Sequence, residues 1–310
     1  MDKPKYYMLW ITSAIVFSFI LSSCGSRNNY SATGEYEITN INIYKDTPVW
    51  KLALAVKSQK VKAIERIAKN NPQLYNYQEP KYGVTLLHWA IGMEKYRSAE
   101  ILLKLGADPD VEAIDGETPL FTASGYSWVD VRAKKDAKYV KLLLRYGADP
   151  NQNYIESDDS EGETIEPGMS PLMNSIPTGI EKTKALVEAG ADINYKTKRG
   201  NTASIESLQS QRALEYAYYL IVQKKANITE PYYRRETIGN EDPNEKFFAV
   251  NLLRNWMFDL NSKEYKMKME IVEEFSRQGV NYWSTEISKD KMDQIIKLYP
   301  DTWKEYANKY

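Results

Sequence analysis

Asp115-Gly116-Glu117-Thr118-Pro119-Leu120-Phe121-Thr122-Ala123, with Leu142-Leu143-Leu144-Arg145-Tyr146-Gly147-Ala148-Asp149-Pro150-Asn151 behind it, decides how this chain is read. The first stretch is a glycine turn, a threonine suited to capping a helix, a proline suited to the first helical position, and a small alanine. The second is a leucine-rich helix stopped by glycine, the residue that takes positive φ at least cost. Together they make one helix-turn-helix unit, and the chain repeats it.

The preceding copy runs Gly83-Val84-Thr85-Leu86-Leu87-His88-Trp89-Ala90 to Gly106-Ala107-Asp108-Pro109-Asp110. Gly83 and Gly116 stand one period apart, a step of about 33 residues. The next copy begins at Gly168-Met169-Ser170-Pro171 and ends Gly190-Ala191-Asp192-Ile193-Asn194. A further one opens at Gly200, a nearly identical step beyond Gly168, with Lys225 where the closing glycine should stand. Period and motifs resemble the ankyrin repeat, with its Thr-Pro-Leu-His-x-Ala start and Leu-Leu-x-x-Gly-Ala-Asp-x-Asn end. The resemblance implies an all-α chain: an ankyrin-repeat solenoid of about five to six helix pairs with projecting turns and an enlarged C-terminal helical cap. The expected division is a signal peptide at 1–23, a flexible tether at 24–46, repeats at 47–78 (an N-terminal cap), 81–113, 114–153, 166–197 and 198–230, and a helical cap with a degenerate repeat at 231–310. His88, the only histidine, occupies the signature's histidine position, where the resemblance implies a hydrogen bond to neighbouring backbone rather than catalysis or metal binding.

Two departures from the period point to function. The chain from Gly116 to Gly147 is eight positions longer than that from Gly83 to Gly106, and the excess lies between the third unit's helices, around Tyr126-Ser127-Trp128-Val129. Tyr126 and Trp128 in an enlarged loop are rigid anchors of the kind interfaces favour; equally, Trp128 folds back to cover its own repeat. The chain from Gly147 to Gly168 is likewise eleven positions longer than that from Gly106 to Gly116, which lengthens a turn into an acidic finger carrying Asp158, Asp159, Glu161 and Glu163. Such a finger suits a basic partner or is a solvated hairpin; Ser160 and Gly162 stand where a calcium loop needs ligands. A third candidate contact is Pro231-Tyr232-Tyr233-Arg234-Arg235, in the connection before the last helix pair, because Tyr and Arg dominate binding hot spots. That pair is expected as Phe247–Leu260 and Lys266–Arg277, followed by two short amphipathic helices with Asp301 capping the second.

Composition narrows the function. With 41 Lys+Arg against 42 Asp+Glu, the 310-residue chain has no global cationic field for nucleic acid, and 43% apolar residues suffice for a sizeable core. There is no nucleophile elbow, phosphate loop or zinc-protease motif, so a non-catalytic protein-binding module without cofactor or metal, expected as a monomer, is the reading. At the start, Lys3 and Lys5 precede an uncharged run from Tyr6 to Ser23, ending Leu21-Ser22-Ser23-Cys24-Gly25. This resembles a bacterial lipobox, which implies lipidation of Cys24, the only cysteine, and a place in the cell envelope. Gly25 and Ser26 lack the acidic residue that resembles an inner-membrane retention signal, favouring the periplasmic side of the outer membrane. Layout and the segment Gln278-Gly279-Val280-Asn281-Tyr282-Trp283 are also similar to bacterial ankyrin lipoproteins, among them periplasmic immunity proteins that neutralise phospholipase effectors. The alternative is an envelope scaffold for a resident complex.

Overall fold

A computed structural model describes residues 37–69, 71–155, 165–233, 242 and 244–310. Cys24 and the signal-peptide reading lie outside these residues, as do Asp158, Asp159, Glu161, Glu163, Arg234 and Arg235. The described residues form fourteen α-helices, no strand, and one isolated antiparallel bridge.

Helices come in pairs. The first is α1 (Trp50–Lys57) with α2 (Val61–Ala68); the second α3 (Leu86–Gly92) with α4 (Tyr96–Lys104); the third α5 (Pro119–Ser124) with α6 (Lys138–Arg145). The fourth is α7 (Pro171–Asn174) with α8 (Ile180–Glu188), and the fifth α9 (Ala203–Leu208) with α10 (Leu214–Ala217), which continues as a π-helical stretch, Tyr218–Gln223. A sixth pair, α11 (Ala249–Arg254) and α12 (Lys263–Arg277), precedes α13 (Lys289–Leu298) and α14 (Trp303–Lys309). Inner helices start as the sequence prescribes. The side-chain oxygens of Thr85, Thr118, Ser170 and Thr202 each accept from the backbone N–H three residues on, satisfying one of the free donors every helix start leaves. Inner helix packs on inner helix and outer on outer, α3 against α1 and α5, α4 against α2 and α6, so each unit buries its apolar stripe only against its neighbours.

The regular spacing of the unit ends has a physical cause visible in the turns. The last polar residue of one unit accepts the backbone N–H at the Asp position of the next: Asn76 from Asp108 (2.9 Å), Asp110 from Asp149 (3.0 Å), Asn151 from Asp192 (2.7 Å) and Asn194 from Asn227 (2.8 Å). These four links form a ladder down the stack. His88 supplies another tie. It is fully buried, its Nε2–H donates to the Glu117 carbonyl of the next unit (3.0 Å), and its Nδ1 faces the Thr85 N–H (3.3 Å). Burial pushes its pKa down to about 4, so it is neutral at pH 7.

One apolar core runs from Ile41 to Ala226, and a second, from Leu208 to Tyr282, joins the fifth unit to Leu253, Trp256, Ile271 and Phe275 of the sixth. The stack therefore extends through the degenerate pair. Three expectations need correction. Residues 37–46 are not tether: they form two short 3-10 turns, Glu37–Thr39 and Ile41–Tyr44, with Ile41 and Tyr44 buried. The Tyr44 hydroxyl donates to the Thr85 carbonyl (2.8 Å), and Trp89 donates its indole N–H to Thr39 (3.2 Å), so apolar residues too sparse to show a period still pack on the first two inner helices. The sixth unit's first helix ends at Arg254 rather than Leu260. Asp301 does not cap α14, which starts at Trp303 with no side-chain cap.

Candidate functional site

Turns project along one edge of the stack, and backbone requirements fix their spacing. Gly83, at φ +69°, lies so close to the next turn that an added Cβ would meet Ile114 N at 2.8 Å; at Gly116, φ +79°, it would meet Ile155 Cγ1 at 2.5 Å. The absence of side chains there lets Ile114 and Ile155 lie over the preceding turn, and both stay exposed, at 68% and 63%. Gln78 binds two turns together, donating to the Gly83 and Glu112 carbonyls.

Two neighbouring turns of this edge are acidic in sequence, whereas the turns before and after them carry Lys81, Lys196, Lys198 and Arg199. Segments 108–117 and 149–166 hold twelve Asp and Glu and no Lys or Arg, while the basic residues between them, from Arg132 to Arg145, belong to the loop and outer helix. The finger is rooted firmly. Tyr154 and Gly168/Met169 exchange backbone hydrogen bonds (Tyr154 N to Met169 O 3.0 Å, Gly168 N to Tyr154 O 2.6 Å), and the Tyr154 ring stacks on Phe121 at 5.4 Å. Phe121 stands where the second unit has His88, so an aromatic stack replaces the histidine hydrogen bond at the one turn that carries an insertion. Behind the root, the Asn201 amide donates to both Glu166 and Glu206, and burial raises the Glu206 carboxyl. The root and flanks of the predicted acidic finger are thus in place; its four named carboxylates fall within residues 156–164, outside the described residues.

On the opposite edge, where inner helix passes to outer helix, the expanded loop spans 125–137. Trp128 folds back. Its ring covers Gly92, where a Cβ would lie 2.2 Å from the ring, so it is half-buried against the second repeat rather than held out as an anchor. The Ser127 hydroxyl donates to Glu94 (2.5 Å), and Val131 is held at φ 53°, an unfavourable conformation for a β-branched residue. Beneath the loop is a cleft of about 100 Å³ lined by Tyr126, Tyr139, Glu94, Asp136, Lys134 and Lys182. Lys182, from the fourth unit, is 3% exposed and donates to the Gly125 carbonyl at 2.8 Å. Thr178 and Asn174 donate to Ser124 and Phe121 carbonyls, so the α7–α8 hairpin caps the C-terminus of α5. Burial lowers the Lys182 pKa to about 8. A lysine in an ordinary helical charge pattern gave no sequence signal for this role.

The third candidate resolves differently. Tyr232 is 8% exposed and pairs with Phe247 through two backbone hydrogen bonds (2.9 and 3.0 Å), while the Tyr233 N–H donates to Arg199 (2.8 Å). Tyr232 is thus a structural link between the fifth and sixth units and not an exposed contact. Among the described residues, no group of three His, Cys, Asp or Glu is placed to hold a metal ion, and no helix is long and apolar enough to cross a membrane.

Comparison with known proteins agrees with this geometry. Residues 52–154 match the family model for ankyrin repeats, in three copies. Protein PhlB of Serratia liquefaciens is 33% identical over 120 residues, covering 38% of this chain and 45% of that protein. A putative ankyrin repeat protein of Rickettsia felis is 33% identical over 116 residues (36% and 45%), and the nuclear factor NF-kappa-B p105 subunit of Gallus gallus 36% over 107 residues (31% and 10%). The chain spans less than half the length of each of these relatives. The fold is an ankyrin-repeat solenoid, a scaffold that is generally non-catalytic and used for binding other proteins.

Proposed function

We propose that this chain grips a basic segment of another protein along its turn edge, and that it does so from the bacterial cell envelope, held by lipid on Cys24. The observation that carries the binding reading is the run of twelve carboxylates, without one Lys or Arg, in the sequence of segments 108–117 and 149–166, seven of them among the described residues of the turns. Ile114 and Ile155 stand exposed among them, so the surface offers apolar contact inside an anionic field. Repeat stacks dock with little loss of entropy because the surface is formed before the partner arrives. The test is crosslinking in intact cells followed by identification of the captured protein, with Asp158→Asn, Asp159→Asn, Glu161→Gln and Glu163→Gln combined in a second strain. Capture that falls at least tenfold in the neutralised strain, with an affinity that weakens steeply with salt, is the expected result. Unchanged capture of the same partner overturns the assignment to this edge.

The tether is read separately. The support is Leu21-Ser22-Ser23-Cys24-Gly25 after an uncharged run, and the check is the mass of the Cys24-containing peptide from cells. Whether the partner is a phospholipase-type effector or a resident envelope protein follows from the capture itself, with protection of cells against such effectors expected only in the first case.

A further inference from the structure

Among the described residues only the short turns of 37–46 precede the first repeat, and the exposed charge on its two helices is almost all of one sign. Between Trp50 and Lys69 stand Lys51, Lys57, Lys60, Lys62, Arg66 and Lys69 against the single acid Glu65, all of them exposed. On α1, Lys51 and Lys57 flank Leu54, which is 42% exposed, and the half-buried Trp50. On α2 and its C-cap, residues 62, 66 and 69 share one stripe by helical spacing. Among the described residues none of the six forms an ion pair, although the rest of the chain pairs its lysines and arginines repeatedly. An outer cap face needs polarity for solubility; it does not need one sign of charge, and like charges at this density repel.

We propose that this face of the first repeat docks on an anionic phospholipid surface, orienting the stack on the membrane. The inference rests on the reading that the chain is held at a bilayer. Only twelve residues separate Cys24 from Glu37, where the described fold begins, a reach of at most about 40 Å. Within that reach the basic face meets the anionic headgroups with its counterions already drawn together, and a single lipid-type anchor combined with a polybasic patch gives the two signals that stable membrane attachment takes. The charge arrangement favours lipid over an acidic protein, because the six cations are spread over two helices and a turn with the exposed Leu54 and the half-buried Trp50 among them, a shape suited to a flat interface. It also leaves the acidic turn edge, repelled by the same lipid, free for its own partner.

The experiment uses the full chain with Cys24→Ala and Glu65→Cys, labelled at the new thiol with a donor fluorophore and mixed with vesicles containing an acceptor lipid. Energy transfer is expected to be about threefold higher in vesicles with roughly 30% phosphatidylglycerol than in pure phosphatidylcholine, and to fall to the phosphatidylcholine value in roughly 0.5 M salt. Combining Lys57→Glu, Lys60→Glu, Lys62→Glu and Arg66→Glu abolishes the difference, and the milder Lys→Gln and Arg→Gln set reduces it with the helical circular dichroism unchanged. The same reversals at Lys134, Lys135, Lys138 and Lys141 leave it intact. Equal transfer in both lipids, or a difference that survives reversal of the first set, overturns the proposal. Since Cys24 is absent from the test protein, failure here is distinct from failure of the lipidation reading, which the mass of the Cys24 peptide decides.

Discussion

At the scale of single residues, the positions that break the repeat consensus show what each consensus residue is for. Lys225 stands in place of the closing glycine and still adopts φ 58°, the left-handed conformation that glycine takes freely and that a lysine adopts at a cost. The same side chain donates to the nearly buried Glu274 at 2.7 Å, alongside Arg277 at 3.0 Å, so the strain is exchanged for a contact between the fifth and sixth units. Lys225→Gly and Lys225→Ala both lose that contact, and only glycine escapes the strain. Urea denaturation should find the glycine variant more stable than the alanine variant by about 1 kcal/mol. His88 gives a second prediction with a definite sign. Its folded pKa of about 4 lies below the unfolded value of 6.5, so the stability it contributes is fully present above pH 6.5 and is lost as pH falls toward 4. Replacing it with Gln should remove that part of the acid destabilisation, on the order of 3 kcal/mol, from the pH profile of unfolding. The structural role of His88 was legible in the sequence because the motif fixes its neighbours. The buried roles of Lys182 and Lys268 were not, since a lysine spaced like its solvated neighbours carries no mark of burial.

At the scale of elements, each insertion is compensated by the unit that follows it. The expanded loop takes the place of a tight turn after α5, so carbonyls at its C-terminus draw side-chain donors from elsewhere. Asn174, Thr178 and Lys182 of the fourth unit supply the donors, at 2.9, 2.5 and 2.8 Å from the carbonyls of Phe121, Ser124 and Gly125. Lys182→Met keeps the apolar stem and deletes the donor; it should cost about 1–3 kcal/mol, because the buried Gly125 carbonyl is left without its side-chain partner. Val131→Gly, in the loop itself, should act in the other direction and raise stability by about 1 kcal/mol in thermal melts, by relieving the φ 53° conformation. Element existence followed from the sequence with little loss: the caps at Thr85, Thr118, Ser170 and Thr202 sit where the motif places them. What the insertions do was half legible. Their lengths are arithmetic, but the direction in which Trp128 points depends on the empty space above Gly92 in another repeat, which no local pattern encodes.

At the scale of the molecule, a stack of this kind is stabilised unit by unit, so its cooperativity depends on the weakest junction. The passage from the fifth unit to the sixth is held by the second of the two apolar clusters, from Leu208 to Tyr282, while the first ends within the fifth unit. Trp256 bridges it: its ring is 3% exposed, and its indole N–H donates to the Leu208 carbonyl at 3.1 Å. Beyond it the cap is closed by cations among aromatic rings. Arg254 lies 4.7 Å from the Tyr282 ring centre, and Lys268 is 4.0 Å from that of Tyr310 while donating to the Trp256 carbonyl. Burial, reinforced by Arg254, lowers the Lys268 pKa to about 7 against 10.5 when unfolded, so the stability this group contributes is full above pH 10.5 and is lost as pH falls to 7. The cap is therefore weaker at neutral pH than at pH 10. Trp256→Ala removes both a ring of the cluster that holds the fifth unit to the sixth and the hydrogen bond to Leu208, a loss of about 3–5 kcal/mol at the junction. Monitored by tryptophan fluorescence and by circular dichroism together, unfolding of this variant at pH 7 should split into two transitions, the cap melting first, and the gap between them should narrow as pH rises toward 9.5. A single transition at both pH values would mean that the repeats and the cap are coupled through contacts other than this ring.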